Sequence, residues 1–337
     1  MAPLGRSSSQ VPRTAPSTAL LASLPSQVSR NPLGSFLLLL LAAILASHVQ
    51  HHYLDVFPRP YLDLHPSTTG SQRFSANKTA LTIHPNPYTT HSTPQLLHIA
   101  TILPPDWRLI FLGASDIVQD MRSNDRVADM VSSGKLSVLE VETWTDTWLR
   151  KDIADVHSEP EIRNRLLTDV AFYDEVLPGV EWLLYFDERA MLCANANGSV
   201  EDFMLHYDWV GAPLTQDERW GGLGTLSLRR LPRLREALVA QTRQHDFNQQ
   251  EDGWMVGRLA ALPDPKPTPG EVSRTFVVER VWYDKPLGYH VPHDMGPGAH
   301  MEVWGNDERR KRIFGYCPEL KIVTPMRLES ERCKDGD

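Results

Sequence analysis

Residues 180–186, VEWLLYF, constrain the fold of this 337-residue chain more than any other segment. Pro178-Gly179 separates them from what precedes, and the run is long enough for a strand but too short for a helix. Apolar side chains fall on both alternating faces, the mark of a strand covered on both sides, as in parallel sheets. Strand-like runs recur at 79–84 (TALTIH), 108–113 (RLIFLG) and 135–141 (KLSVLEV), with a helix expected over 95–102. The best-marked helix starts near Ser158, which forms a capping box with Glu161. Pro160 lies in its first turn, and Ile162, Leu166, Val170, Tyr173 and Leu177 share one face. Strands alternating with helices predict an α/β fold with a mixed, mostly parallel sheet flanked by helices. Open sheets of this kind bind ligands beyond the carboxyl ends of their strands, so Asp187-Glu188-Arg189 is where chemistry is expected. Farther on, residues 262–270 (LPDPKPTPG) read as a proline-rich loop, RTFVVER (274–280) as a strand and PLGYHVPH (286–293) as a turn carrying His290 and His293.

The amino end reads differently. No acid precedes Asp55, and residues 33–49 form an apolar run behind Arg6, Arg13 and Arg30. At about 1.5 Å per residue this run is short for a bilayer core of roughly 30 Å, and thinner early-secretory membranes narrow the gap. A cleaved signal peptide is the competing reading; the long segment ahead of the run favours a signal anchor. The preceding cations then put the amino terminus in the cytosol. The expected organisation is a cytosolic tail over 1–32, a transmembrane anchor over 33–49, a Pro/Ser/Thr-rich stem over 50–76, one domain over 77–325 and a polar tail over 326–337. This arrangement predicts a single-pass type II protein of the Golgi or endoplasmic reticulum with the main domain in the lumen. Sequons at Asn77-Lys78-Thr79 and Asn197-Gly198-Ser199 agree with it weakly. The histidines at 48, 51 and 52 are expected to be bystanders at a membrane boundary.

Charge removes one class of partner. Lys+Arg 34 against Asp+Glu 42 gives a net charge of −8, which repels phosphate backbones, so nucleic acid is not expected as a partner. The cysteines Cys193, Cys317 and Cys333 match no zinc spacing and allow at most one intrachain disulfide, with Cys317 and Cys333 a candidate pair that the sequence does not settle.

Four segments, taken in order, carry a resemblance: LLYFDERAMLCANANGSVEDFMLHYDWVGAPL (183–214), GGLGTLSLRR (221–230), EDGWM (251–255) and PLGYH (286–290). From about residue 79 to 290 the chain resembles an uncharacterised fungal family of glycosyltransferase-like domains with a GT-A-like fold. The resemblance implies a nucleotide-sugar donor, a glycan or glycoprotein acceptor, and Mn2+ or Mg2+ held by an Asp-x-Asp motif and a later histidine. Carried over by position, Asp187 and His290 become the metal candidates. Asp187, Arg189, Gly222, Gly224, Ser227 and His290 become donor-site candidates, and Asp252 with Glu251 the catalytic acids, Asp252 foremost.

The departures have chemical weight. Arg189 stands where the motif has its second acid, and a fixed positive charge opposes a divalent ion that needs oxygen ligands. Arg189 then either takes the leaving diphosphate through bidentate hydrogen bonds, marks a site that has lost catalysis, or pairs with Glu188 or Asp187 at a strand end. Leu223 and Thr225 also differ from the family's glycine loop, and Thr225 is expected to narrow the donor pocket. Asp252 is either the base that takes the acceptor's proton or a helix-start acid facing first-turn amides. Asp208 reads as a fold-holding acceptor, and Trp209 and Trp220 as sugar-stacking or core rings. Sugar transfer leads, with a catalytically silent GT-A-like binding protein as its rival.

Overall fold

A computed structural model describes residues 40–45, 74–86, 90–141, 159–243, 249–292 and 302–324. Residues 40–45 are helical; the rest of the expected anchor, the tail, most of the stem and the end beyond Thr324 lie outside the described residues. No helix among the described residues is long and apolar enough to cross a membrane. The chain divides into two units, Met1–Pro66 and Ser67–Asp337, and everything below concerns the second.

In chain order the second unit runs β1 (Lys78–His84), α1 (Ser92–Ile102), β2 (Arg108–Gly113), α2 (Ser115–Arg122), α3 (Asp125–Ser132) and β3 (Leu136–Glu140). It continues with α4 (Glu159–Leu166), α5 (Val170–Val176), β4 (Trp182–Phe186), β5 (Ala190–Leu192), β6 (Trp209–Ala212) and β7 (Leu223–Arg230). After these come α6 (Leu231–Ala240), α7 (Glu251–Leu259), α8 (Gly270–Phe276), β8 (Val277–Val278), β9 (Gly288–His290) and α9 (Asp307–Tyr316). The main sheet has the order β3-β2-β1-β4-β7-β6. β1 to β4 pair in parallel, and β7 runs antiparallel between β4 and β6. The expected mixed, mostly parallel sheet is present. β4 is buried at every position, as its unbroken apolar run requires. Strand order reverses around β1 and β4, which opens a crevice beyond their carboxyl ends.

Three expectations are corrected. The single long helix is two, because Asp169 turns its carboxylate onto the Ala171 amide at 2.9 Å and caps α5, while the Thr168 hydroxyl bonds back to the Asn164 carbonyl at 2.6 Å. Ser158, offered as the first cap, lies outside the described residues. Residues 274–280 are not one strand: α8 covers 270–276, and only Val277 and Val278 extend, the run of three buried apolar residues being too short to override the helix before it. Residues 288–290 form β9 rather than a turn, pairing antiparallel with β5 and parallel with β8. Gly288 permits it, since a Cβ there would lie 2.6 Å from the Met191 carbonyl oxygen and 2.7 Å from Leu226 Cδ2.

The disulfide joins Cys193 to Cys317, with Cα atoms 5.0 Å apart, and not Cys317 to Cys333. Cys193 follows β5 and Cys317 closes α9, so the bond ties α9 to the small sheet. Cys333 lies outside the described residues.

Candidate functional site

Asp187 leaves the carboxyl end of β4, and the turn that follows is clamped from α1. Gln95 Nε2 donates to the carbonyls of Asp187 and Ala190, each at 2.7 Å, and His91 Nε2 lies 2.6 Å from the Glu188 carbonyl. One Asp187 oxygen accepts the Arg189 amide at 2.9 Å; the other faces His290 Nε2 at 3.1 Å. On the far side of the ring, His290 Nδ1 lies 3.0 Å from Glu279 Oε2, and that oxygen accepts the Thr225 hydroxyl at 2.9 Å. The small sheet makes this meeting possible: β5 follows Asp187, β8 precedes Glu279, and His290 ends β9. Asp187 and His290 thus come together, and Thr225 braces Glu279. Glu279 escaped the sequence reading, though it follows Val277-Val278 as Asp187 follows an apolar run, and the same signal marks both.

Burial works to raise the pKa of Asp187, but His290, with Arg163 and Arg189, outweighs it and holds the carboxyl well below the usual range. Glu279 is likewise lowered, burial opposing and His290 prevailing. Burial alone would lower His290; Asp187 and Glu279 outweigh it and hold the ring at about 10. Arg189 makes no ion pair with Asp187 or Glu188 among the described residues: Glu188 pairs with Arg163 at 2.9 Å. Its Nε and Nη1 are buried and meet no hydrogen-bond acceptor among the described residues.

A second group adjoins the first through the neighbours Gly224 and Thr225. Asp252, in the first turn of α7, accepts the Gly224 amide at 2.8 Å and the Gly253 amide at 2.7 Å. Burial raises its pKa against both hydrogen bonds. Glu251 is spent differently: it is buried and holds Arg229 at 2.7 Å, while its amide donates to Asn164 Oδ1 at 3.0 Å. Burial pushes Glu251 up to about 7 against the pull of Arg229. Burial works to lower Arg229, and Glu251, Tyr173 and Tyr185 together outweigh it. Of the acid pair, Asp252 is the partly exposed member.

The glycine loop serves this framework. Ser227 is buried, accepting Arg229 Nε at 2.8 Å and donating to the Gly224 carbonyl at 2.9 Å. A Cβ on Gly224 would lie 2.7 Å from the Cβ of Asp252 and 2.9 Å from Arg229 Nη2, so its missing side chain lets β7 approach α7. Gly222, by contrast, faces open space. Asp208 accepts the Lys266 amide at 3.2 Å and pairs with Arg233 at 3.3 Å, the expected structural role. Trp209 is fully buried beneath Arg229, whose guanidinium carbon is 4.3 Å from its ring centroid, and belongs to the core. Trp220 is half-buried, with Arg219 stacked on it at 4.5 Å. His293 lies outside the described residues.

A divalent ion at Asp187 and His290 does not fit this arrangement. A histidine ligand must offer a lone pair, yet His290 Nε2 is hydrogen-bonded to Asp187 at 3.1 Å, and Nδ1, 3.0 Å from Glu279 Oε2 without an aligned hydrogen bond among the described residues, points to the other carboxylate. Asp187 and Glu279 meet opposite edges of the ring, so their oxygens and the ring nitrogens do not converge on one centre. Among the described residues the metal-type group that does converge is Cys193, Cys317 and Glu319, and its sulfurs are joined in the disulfide.

Residues 149–290 match the model of a family described as "Protein of unknown function (DUF5672)". No curated protein matches the chain. Among solved structures, the chain is similar to the mannosyltransferase PcManGT from Pyrobaculum calidifontis in complex with GDP-Man and Mn2+. That match has 10% identity and a TM-score of 0.36, over 67% of this chain and 64% of the other, slightly under two thirds of it. It is similar also to S. aureus TarS 1-349, with 12% identity and a TM-score of 0.37 over 75% of this chain and 76% of the other. The apo-form glycosyltransferase GlyE in Streptococcus pneumoniae TIGR4 matches at 9% identity and a TM-score of 0.40, over 74% of this chain and 65% of the other.

Proposed function

We propose that the chain transfers a sugar from a nucleotide sugar to a hydroxyl of a glycan or glycoprotein acceptor. One observation carries the reading: a partly exposed carboxylate, Asp252, is joined through Gly224-Thr225 to a charged cluster at the carboxyl end of β4. The cluster end, with Arg189 and the crevice at the strand reversal, suits an anionic donor. The Asp252 end suits the acceptor. There the acceptor oxygen bonds to the sugar's anomeric carbon, the bond from that carbon to the diphosphate breaks, and Asp252 takes the hydroxyl proton. Burial favours that role, because a base with a raised pKa holds a proton more readily. Glu251, fixed on Arg229, positions the start of α7 and so the carboxylate beside it.

The setting we propose is the lumen of the Golgi or endoplasmic reticulum, with residues 33–49 as a type II anchor. The Cys193–Cys317 disulfide supports it, since such bonds persist in oxidising compartments. The exposed sequon residues Asn77 and Asn197 are compatible with it.

The test is transfer and donor hydrolysis by the full chain across a panel of nucleotide sugars, beside Asp252→Asn. Turnover with one donor and a loss of roughly 10²–10⁴-fold in kcat for Asp252→Asn, with unchanged donor affinity, is expected. Donor binding without turnover of any donor would instead mean a silent sugar-nucleotide binding protein, the reading that the Arg189 substitution favours.

A further inference from the structure

We infer that this site takes the diphosphate of a nucleoside diphosphate, free or sugar-linked, on the guanidinium of Arg189 without a divalent cation. The inference rests on the transferase reading above and concerns how that donor is held.

Two nitrogens of Arg189, Nε and Nη1, are buried with no acceptor among the described residues. A buried cationic donor left without a partner is costly, and such groups in native proteins are normally satisfied by protein, water or ligand. The nearby anions do not supply one. Glu188 is held by Arg163 at 2.9 Å, and the Asp187 oxygens are engaged by the Arg189 amide and His290. Arg189 lies three residues beyond the end of β4, at the reversal of strand order where open sheets place phosphates. A planar guanidinium presents paired N–H groups that match phosphate oxygens, and oxygens supplied from outside would satisfy the two it leaves open.

The same residues argue against the ion. A cation held by Asp187 would lie close to the fixed positive charge of Arg189, two residues along the same turn. It would have to displace His290 from Asp187, breaking the run of contacts through Glu279 to Thr225. Positive charge is in place without it, on the guanidinium of Arg189.

The experiment measures binding of uridine and guanosine diphosphates to the full chain by calorimetry, in chelator and in Mn2+, with the matching nucleosides as controls. The expected result is equal affinity with and without Mn2+, at least tenfold weaker diphosphate binding for Arg189→Met, and partial recovery in Arg189→Lys. Nucleoside binding and the near-ultraviolet dichroism of Arg189→Met should stay as in the parent, which separates a lost phosphate contact from a lost fold. Binding that appears only with Mn2+, or an Arg189→Met protein that binds diphosphate as the parent does, overturns the inference and leaves the transferase reading standing. No diphosphate binding in either condition overturns both.

Discussion

Glu251 lies out of water with Arg229 as its counter-ion at 2.7 Å. Arg229→Met leaves that acid buried and alone, and should cost about 3–5 kcal/mol in urea unfolding. Adding Glu251→Leu removes the orphan, so the double variant should be more stable than Arg229→Met, a sign that a simple packing loss would not give. His84 makes a different kind of prediction. It ends β1 fully buried, and burial drops its pKa to about 3 from 6.5. Between those values the unfolded chain binds more protons than the folded one, so stability rises with pH. The contribution is complete above about 6.5 and is lost as pH falls toward 3, by up to about 5 kcal/mol. Asp187, held low in the fold, acts with the same sign. His84→Gln should flatten the acid limb of the stability profile between pH 6.5 and 4, read from urea midpoints at each pH.

At the level of elements, Asp169 caps α5 through the Ala171 amide, and Asp169→Ala should lower stability by about 1 kcal/mol in the same assay. That cap was hidden in the sequence because Asp169 interrupts a helical apolar period without breaking it; Val170, Tyr173 and Leu177 keep the spacing across the gap. The main sheet was legible for the opposite reason. A strand buried on both faces must be a continuous apolar run, and 108–113 coincides with β2 residue for residue. The small sheet was not legible, since strands of two or three residues carry no period, and what pairs them is the bare backbone of Gly288 beside Met191. The candidate site followed the same division. Asp187 was visible at the end of a run, whereas Glu279 depends on a sheet that no local pattern announces. His290 was joined to Asp187 by resemblance alone, across a separation of 103 residues.

For the whole second unit, the disulfide closes a span of 124 residues, which chain-entropy reasoning values at roughly 4–5 kcal/mol against the reduced protein. A thermal scan under thiol reductant should show a clear fall in Tm, and Cys317→Ser should lower Tm without further response to reductant. The position of that bond also sets an order of events during synthesis. Cys193 emerges from the ribosome long before Cys317, and at roughly 5–20 residues per second its partner follows about 6–25 seconds later. Through that interval the first thiol stays unpaired, while β6 and β7, both complete by Arg230, join the main sheet. The segment that seals the small sheet is made after all the described strands, so a chain truncated before Cys317 carries Asp187, Glu279 and His290 without the clasp that holds their strands to α9.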